Sequence, residues 1–157
     1  FNSALKNFVL VLFSTLLISA CSTAKKASVD TVDDVYTGTD TVEYLANGVP
    51  DRVFFATNKS SLTTRSRDTL RKQATYLRKN KDLTVTIEGH ADERGTREYN
   101  LALGERRANA AKDYLMTYGV SGKRISVISY GKEKPVNPAS SPLAWSQNRR
   151  SVTIKAN

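Results

Sequence analysis

The chain has 157 residues, with 24 lysines and arginines against 15 acidic residues, which give a formal net charge of +9 at pH 7. This length suits one domain plus a tail and is too short for two domains of ordinary size. The single cysteine, Cys21, excludes an intrachain disulfide and a multi-cysteine zinc site, and the single histidine, His90, argues against a histidine-rich metal site. The positive charge suits an anionic partner, such as nucleic acid, lipid headgroups or an acidic polymer, without choosing among them.

Residues 1–20 have the pattern of a signal peptide for secretion. Lys6 precedes an apolar run over residues 8–18, and the small residues Ser19 and Ala20 follow it. The apolar run is shorter than the roughly 20 residues that a membrane-spanning helix needs. A permanent transmembrane anchor is therefore the weaker of the two interpretations.

Residues 18–21, Ile-Ser-Ala-Cys, resemble the bacterial lipobox, in which cleavage occurs just before the cysteine and the thiol then carries diacylglycerol. The alternative is an ordinary signal peptide followed by a chance cysteine, but the only cysteine lies at the cleavage point, which favours lipidation of Cys21. Acyl chains hold a protein on a bilayer because each buried methylene contributes about 0.8 kcal/mol. By resemblance to bacterial lipoproteins, Ser22 after the cysteine implies the outer membrane.

Residues 21–48 are predicted to form a lipidated flexible tether, and residues 49–157 a folded domain. Residues 22–47 are rich in acids and threonines and contain few apolar side chains. Such a composition cannot offset the entropy that is lost when a backbone becomes ordered. The tether would give the domain a useful reach from a membrane to a neighbouring structure.

The domain begins with a predicted strand and a predicted helix. Residues 52–55 are β-prone and are followed by turn residues at 57–60. Apolar residues then recur at helical intervals over residues 62–77, and we expect the basic residues around them to form a solvated face rather than a specific anion site. Residues 83–88 alternate with a period of two, which predicts the clearest strand of the chain, ending at Gly89.

A second helix is predicted over residues 96–118, and the glycine at position 119 is typical of the position after a helix. A strand over residues 124–130, a loop with three prolines and a last strand over residues 151–155 follow. The order β-α-β-α-β-loop-β predicts an α+β fold. We expect a two-layer βαβαββ sandwich, in which a mixed four-stranded sheet carries two main helices on one face.

A candidate binding site follows the clearest strand. Asp92 lies in the loop that enters the second helix, and Asn100, Leu103 and Arg107 project from one side of that helix. Asp92 could bind an ammonium group while Arg107 forms a bidentate hydrogen bond with a carboxylate. The alternative is that Asp92 and Arg107 pair with each other or cap local backbone, and their spacing alone does not decide between the two.

Short motifs occur in a fixed order along residues 52–155 and carry a family resemblance. They are Val53-Phe54-Phe55-Ala56-Thr57-Asn58-Lys59, Ile87-Glu88-Gly89-His90-Ala91-Asp92, Gly95, Tyr99-Asn100, Leu103-Gly104-Glu105-Arg106-Arg107-Ala108, Gly119-Val120, Arg124-Ile125, Ser129-Tyr130-Gly131 and Asn148-Arg149-Arg150. In order and spacing they resemble the outer-membrane-protein-A-like peptidoglycan-binding domain. This resemblance covers most of the chain that would remain after cleavage.

The resemblance implies a noncovalent hold on the stem peptide of peptidoglycan, centred on diaminopimelate, whose side chain carries a free amine and a free carboxylate. It implies that Asp92 and Arg107 are the paired ligands of this zwitterion. Further pocket residues that it implies are Thr57, Asn58, Asn100 and Leu103. The chain departs from the family pattern at Asn58 and Ala56, where aspartate is frequent, and we expect this loss of charge to weaken the contact with the ammonium group.

The resemblance also implies the place of the protein in the cell. It implies an outer-membrane lipoprotein, anchored by lipid on Cys21 and facing the periplasm, that ties the membrane to the wall. It further implies docking to TolB and other Tol proteins, which serve cell division and envelope integrity. No enzyme activity, cofactor or metal is implied.

An alternative function is a periplasmic wall-processing hydrolase that uses His90 and Asp92. The two residues would fall on the same side of an extended segment, with Glu93 and Ser60 as further candidates. No nucleophile stands in a recognised turn, and a histidine beside a glycine at a strand end is more often a hydrogen-bonded structural residue.

Nucleic-acid binding is a second alternative, because the chain is basic and contains Trp145 and the Arg149-Arg150 pair. A secreted protein does not meet nucleic acid in its ordinary compartment, and the aromatic residues do not form a stacking array. We therefore expect no nucleic-acid partner, and we expect Trp145 to pack in the core or at its rim.

Overall fold

The computed structural model of the chain describes residues 34–156. The predicted signal peptide, Cys21 and the first part of the predicted tether lie outside these residues. Within residues 34–156, no helix combines the length and the apolar character that crossing a membrane requires.

Two short strands, β1 at Tyr44–Ala46 and β2 at Val49–Pro50, precede the central sheet. That sheet has four strands, which are β3 at Arg52–Phe54, β4 at Val85–His90, β5 at Ile125–Gly131 and β6 at Arg150–Lys155. Their order across the sheet is β3-β6-β4-β5. β4 and β5 are parallel, whereas β6 runs antiparallel to both β3 and β4. The mixed sheet that the sequence predicts is therefore confirmed.

Two helices form the second layer, α1 at Thr64–Lys79 and α2 at Arg97–Thr117. Each begins after a threonine whose side chain accepts a hydrogen bond from the backbone three residues later, as the preferred N-cap residues do. Both helices pack on one face of the sheet. The residues that form this core are Val53, Phe55, Leu70, Ala74, Leu77, Val85, Ile87, Ala108, Ala111, Leu115, Val120 and Ile125.

The first half of α2 lies close to β4, because Gly89 and Gly104 face each other. A Cβ atom on Gly89 would lie 1.8 Å from the carbonyl oxygen of Gly104, which is far inside van der Waals contact. The absence of side chains at both positions lets the helix backbone approach the strand backbone. This approach brings the first half of α2 beside the C-terminal end of β4, where Asp92 follows.

The segment before β3 differs from the sequence prediction. Residues 34–48 were expected to belong to a flexible tether, but Tyr44–Ala46 (β1) and Val49–Pro50 (β2) form a small antiparallel hairpin. Tyr36 is buried and packs edge to face on Phe54, with 4.9 Å between ring centroids. A few apolar side chains are sufficient to hold this otherwise polar segment, because they pack on the surface of the folded domain.

A short helix, α3 at Pro142–Asn148, occupies the stretch that was predicted to be a proline-containing loop. Ser141 caps it through a hydrogen bond from Ala144 N, and Pro142 stands in the first turn, where its missing N–H costs nothing. A single turn of 3-10 helix at Gly122–Arg124 leads into β5. The α+β fold class is confirmed, with α3 as an addition to the two main helices.

Candidate functional site

The site is built from two loops at one end of the sheet and from the residue that precedes β6. The first loop, residues 55–60, follows β3, and the second loop, residues 91–96, follows β4. The second loop begins on a sheet contact, because Ala91 N donates to the carbonyl of Gly131 at 2.8 Å. The first loop begins in the same way, because Phe55 N donates to the carbonyl of Arg149 at 2.9 Å, so both loops start from fixed points of the sheet.

Asn58 shapes the first loop. Its φ angle is 56°, in the left-handed region, and its side chain is exposed. Asparagine tolerates this conformation better than most residues other than glycine. A hydrogen bond from Lys59 N to the carbonyl of Ala56, at 3.1 Å, closes the turn.

Asp92 is buried, and both of its carboxylate oxygens are occupied. Oδ1 accepts from Arg94 N at 3.1 Å and from Arg94 Nε at 3.0 Å. Oδ2 accepts from Arg94 Nη2 at 2.7 Å and from Arg149 Nη1 at 3.2 Å. Burial raises the pKa of Asp92, but the hydrogen bonds from Arg94 and Arg149 outweigh it and hold that pKa below its ordinary value.

Arg107 has a fully buried guanidinium that joins the two loops. Its Nε donates to the carbonyl of Lys59 at 2.8 Å, Nη2 to that of Ala56 at 3.0 Å, and Nη1 to that of His90 at 2.9 Å. Burial and the nearby Arg149 lower the pKa of Arg107 to about 10, so the group remains charged at neutral pH. Arg107 thus holds the first loop to the end of β4.

Asp92 and Arg107, the two residues at the centre of the sequence prediction, lie close in the fold but do not pair with each other within the described residues. Asp92 is bound to arginines 94 and 149, whereas Arg107 is bound to backbone carbonyls. The alternative to ligand binding was that the two residues pair with each other or bind local backbone, and the structure shows its second form: Arg107 binds backbone carbonyls, and Asp92 accepts from the backbone N–H of Arg94. The role of both residues toward a ligand stays a prediction.

Asn100 and Leu103 support the site from within α2. The Asn100 side-chain amide donates to the carbonyl of Arg94 at 2.8 Å and so fixes the second loop. Both residues are buried, with 2% and 3% of their surface exposed. In this conformation they lie behind the loops and do not line an open groove.

Arg149 is a site residue that the sequence indicates only as part of a motif and of a basic pair that could suit nucleic acid, and not as a residue of the predicted ligand site. Its side chain is 3% exposed, and its Nε donates to the carbonyl of Phe55 at 3.0 Å. It reaches Asp92 on one side and Asp34, at 3.1 Å from Nη2 to Oδ2, on the other. The pair of arginines at the start of a buried strand could have indicated this role, because a buried arginine needs carbonyl or carboxylate partners.

Arg94 forms the exposed rim of the site. Its side chain is 41% exposed, and its guanidinium lies 4.2 Å from the ring centroid of Trp145, a cation–π distance. Arg94 Nη2 also donates to the Thr57 hydroxyl at 3.2 Å. Trp145 in turn donates from Nε1 to Glu93 at 2.8 Å, so it lies at the rim of the site.

His90 does not face Asp92 in the way that a hydrolase relay requires. Its ring stacks on Tyr130 at 5.6 Å, and its Nε2 lies 3.3 Å from Glu88 Oε2. Burial, with the charges of Arg150, Arg52 and Lys134, lowers the pKa of His90 to about 3. The imidazole is therefore neutral at physiological pH and a poor base, which counts against the hydrolase alternative.

Comparison with known proteins agrees with the fold and the motifs. The model of the OmpA family matches residues 54–149. The peptidoglycan-associated lipoprotein of Rhizobium meliloti is 57% identical over 106 residues, which are 68% of this chain and 60% of that relative. The matched part thus spans less than two thirds of that protein.

Two further relatives extend the comparison. The peptidoglycan-associated lipoprotein of Brucella melitensis is 42% identical over 151 residues, covering 92% of this chain and 89% of the relative. The crystal structure of the peptidoglycan-associated lipoprotein from Burkholderia pseudomallei superposes with a TM-score of 0.66 at 37% identity, over 68% of this chain and 90% of that chain.

Replacing Arg107 by leucine is expected to lower the free energy of unfolding by about 3–5 kcal/mol, because the buried carbonyls of Ala56 and His90 and the partly buried carbonyl of Lys59 lose their donor at once. The neighbouring Arg106 is exposed, and Arg106→Leu serves as the matched control, with an expected change within about 0.5 kcal/mol. Urea unfolding measures both. Equal stability of the two variants would contradict the structural role of Arg107.

His90 is the only histidine of the chain, so its titration can be followed without mutagenesis. With a pKa of about 3, its ring signals in proton NMR are expected to stay at the neutral position from pH 8 down to pH 5. A folded protein whose imidazole titrates near the ordinary midpoint, about 6.5, would show that His90 is accessible and basic. That result would reopen the hydrolase alternative.

Proposed function

Because the chain belongs to the OmpA family and, within it, to the peptidoglycan-associated lipoproteins, we propose that it binds peptidoglycan noncovalently and ties the outer membrane to the cell wall. The observation that carries this proposal is the pairing at the site of a buried carboxylate, Asp92, with a buried guanidinium, Arg149, at 3.2 Å. Opposite charges at this spacing suit a ligand that carries both an ammonium and a carboxylate group.

The ligand that we propose is the side chain of diaminopimelate in the stem peptide. Its ammonium group would take the place of Arg94 on Asp92. Arg94 is well placed to leave, because its side chain is partly exposed whereas the Asp92 side chain is only 8% exposed. The exchange replaces one cation by another, so the buried carboxylate is never left unpaired.

The carboxylate of the ligand would bind on the other side of Arg149, at the first loop. Thr57 offers its backbone N–H and its hydroxyl there, and Asn58 sets the turn that presents them. Arg107 adds positive charge behind this half of the site and, through its three carbonyl contacts, keeps the first loop in position for the ligand. Asn100 and Leu103 hold the second loop and the helix in place.

The lipid anchor and the protein partners are further parts of the proposal. Lipid on Cys21, which lies outside the described residues, would hold the protein in the outer membrane, facing the periplasm. TolB and other Tol proteins are proposed partners on the strength of family membership, with a role in cell division and envelope integrity. Peptidoglycan binding by the folded domain needs neither of them.

The decisive experiment is sedimentation of the protein with purified peptidoglycan sacculi. Asp92→Asn keeps the volume and the oxygen acceptor but removes the charge that pairs with the ammonium group, so retention should fall about tenfold, equivalent to about 1.4 kcal/mol. Asp113→Asn, on the exposed side of α2, is the matched control and should bind like the wild type. Salt of about 0.15 M limits nonspecific attraction by the basic surface.

Sacculi whose stem peptides contain lysine in place of diaminopimelate provide the second arm, since lysine lacks the side-chain carboxylate. Weak retention on lysine sacculi and strong retention on diaminopimelate sacculi are expected. Equal retention of wild type and Asp92→Asn on both materials would contradict the assigned site. Release of soluble muropeptides by the wild type would instead support the hydrolase alternative.

A further inference from the structure

The carboxylate half of the site is already occupied by a residue of the chain itself, Asp34. One carboxylate oxygen of Asp34, Oδ1, accepts from Thr57 N at 2.9 Å. The other, Oδ2, accepts from the Thr57 hydroxyl and lies 3.1 Å from Arg149 Nη2. Arg149 also donates to the backbone carbonyl of Asp34.

This contact uses the donors that a carboxylate ligand would need. A backbone N–H, a hydroxyl and a guanidinium together satisfy both oxygens of Asp34, and Arg149 is itself fixed by Phe55 and Asp92. Burial raises the pKa of Asp34, but the hydrogen bonds from Thr57 and the charge of Arg149 outweigh it and leave that pKa below its ordinary value. The contact therefore stabilises the ionised form.

The residues that follow Asp34 hold it at this position. Tyr36, two residues on, is buried against Phe54, and Asp40 accepts a hydrogen bond from Gln147 Nε2 at 3.1 Å. The segment is thus attached to the domain at three points. Asp34 is the first of these three contacts in chain order within the described residues.

Asp34 can nevertheless leave without opening the core. Its side chain is 52% exposed, whereas the Arg149 side chain beneath it is 3% exposed. Release of Asp34 would uncover the Thr57 N–H and one edge of the Arg149 guanidinium, which are the groups that the ligand carboxylate is proposed to bind.

We propose that Asp34 is an internal competitor of the wall ligand: it occupies the Thr57 and Arg149 donors in the free protein and is displaced when a stem-peptide carboxylate binds. This inference rests on the proposed function, since it specifies what the ligand must replace. It also connects the predicted tether, residues 21–48, to the site, because the displaced residue belongs to that segment.

Competition of this kind lowers the apparent affinity, which is the intrinsic affinity multiplied by the fraction of molecules whose site is open. Asp34→Asn removes the charge of the competitor and keeps its size, so the full chain carrying it should bind a soluble diaminopimelate stem peptide about fivefold more tightly than the wild type. Asp40→Asn is the matched control: it removes a charge from the same segment, while the amide oxygen can still accept from Gln147 and so keep the attachment. Calorimetry on the three proteins measures the dissociation constants.

Amide hydrogen exchange at Thr57 gives a readout that needs no ligand. Asp34→Asn should speed exchange of this N–H, whereas Asp40→Asn should leave it unchanged. Exchange at the wild-type rate in Asp34→Asn would show that the contact does not protect Thr57 and would overturn the inference.

The binding outcomes separate this inference from the proposed function. Wild-type binding with equal or weaker binding by Asp34→Asn overturns the competitor and leaves the function intact. Binding by Asp34→Asn alone supports a competitor that keeps the wild-type site closed. Absence of binding by all three proteins overturns the diaminopimelate ligand, and with it the competition.

Discussion

The buried guanidinium of Arg107 is the interaction on which the site depends. Moving a charged group out of water is costly unless hydrogen bonds replace those to water, and three backbone carbonyls do so here. Two of these carbonyls belong to the first loop and one to His90 at the end of β4. Because one side chain holds both segments, the two loops that carry the binding groups cannot move independently without breaking a buried contact.

Charges of opposite sign alternate on this framework. Asp92 lies between Arg94 and Arg149, and Arg149 lies between Asp92 and Asp34. Each charge has a partner in the free protein, so a zwitterionic ligand would exchange partners and would not fill an empty pocket. Exchange gains less free energy than new contacts do, since each contact with the ligand replaces one that the protein already makes, while the ligand must still lose its water. Moderate affinity for a single stem peptide is compatible with tight attachment to a cell wall that presents many stem peptides.

The sequence predicts the parts of this site that depend on local pattern. The alternation before Gly89 and the helical spacing after it place Asp92 at a strand end and Arg107 on a helix, as the structure has them. Arg149 and Asp34 contact each other across 115 positions of sequence, and spacing carries no information about such a contact. The segment that contains Asp34 has the composition of a tether because few of its side chains are apolar, yet two of them, Tyr36 and Leu45, are buried in the fold.

A crystal structure of the chain with a diaminopimelate stem peptide tests this account most directly. The ligand ammonium is expected on Asp92 and the ligand carboxylate on Thr57 N and Arg149, each within about 3 Å. Asp34 should be displaced, and Arg107 should keep its contacts with the loop carbonyls. A ligand bound away from Asp92, or bound while Asp34 still occupies Thr57, would contradict it.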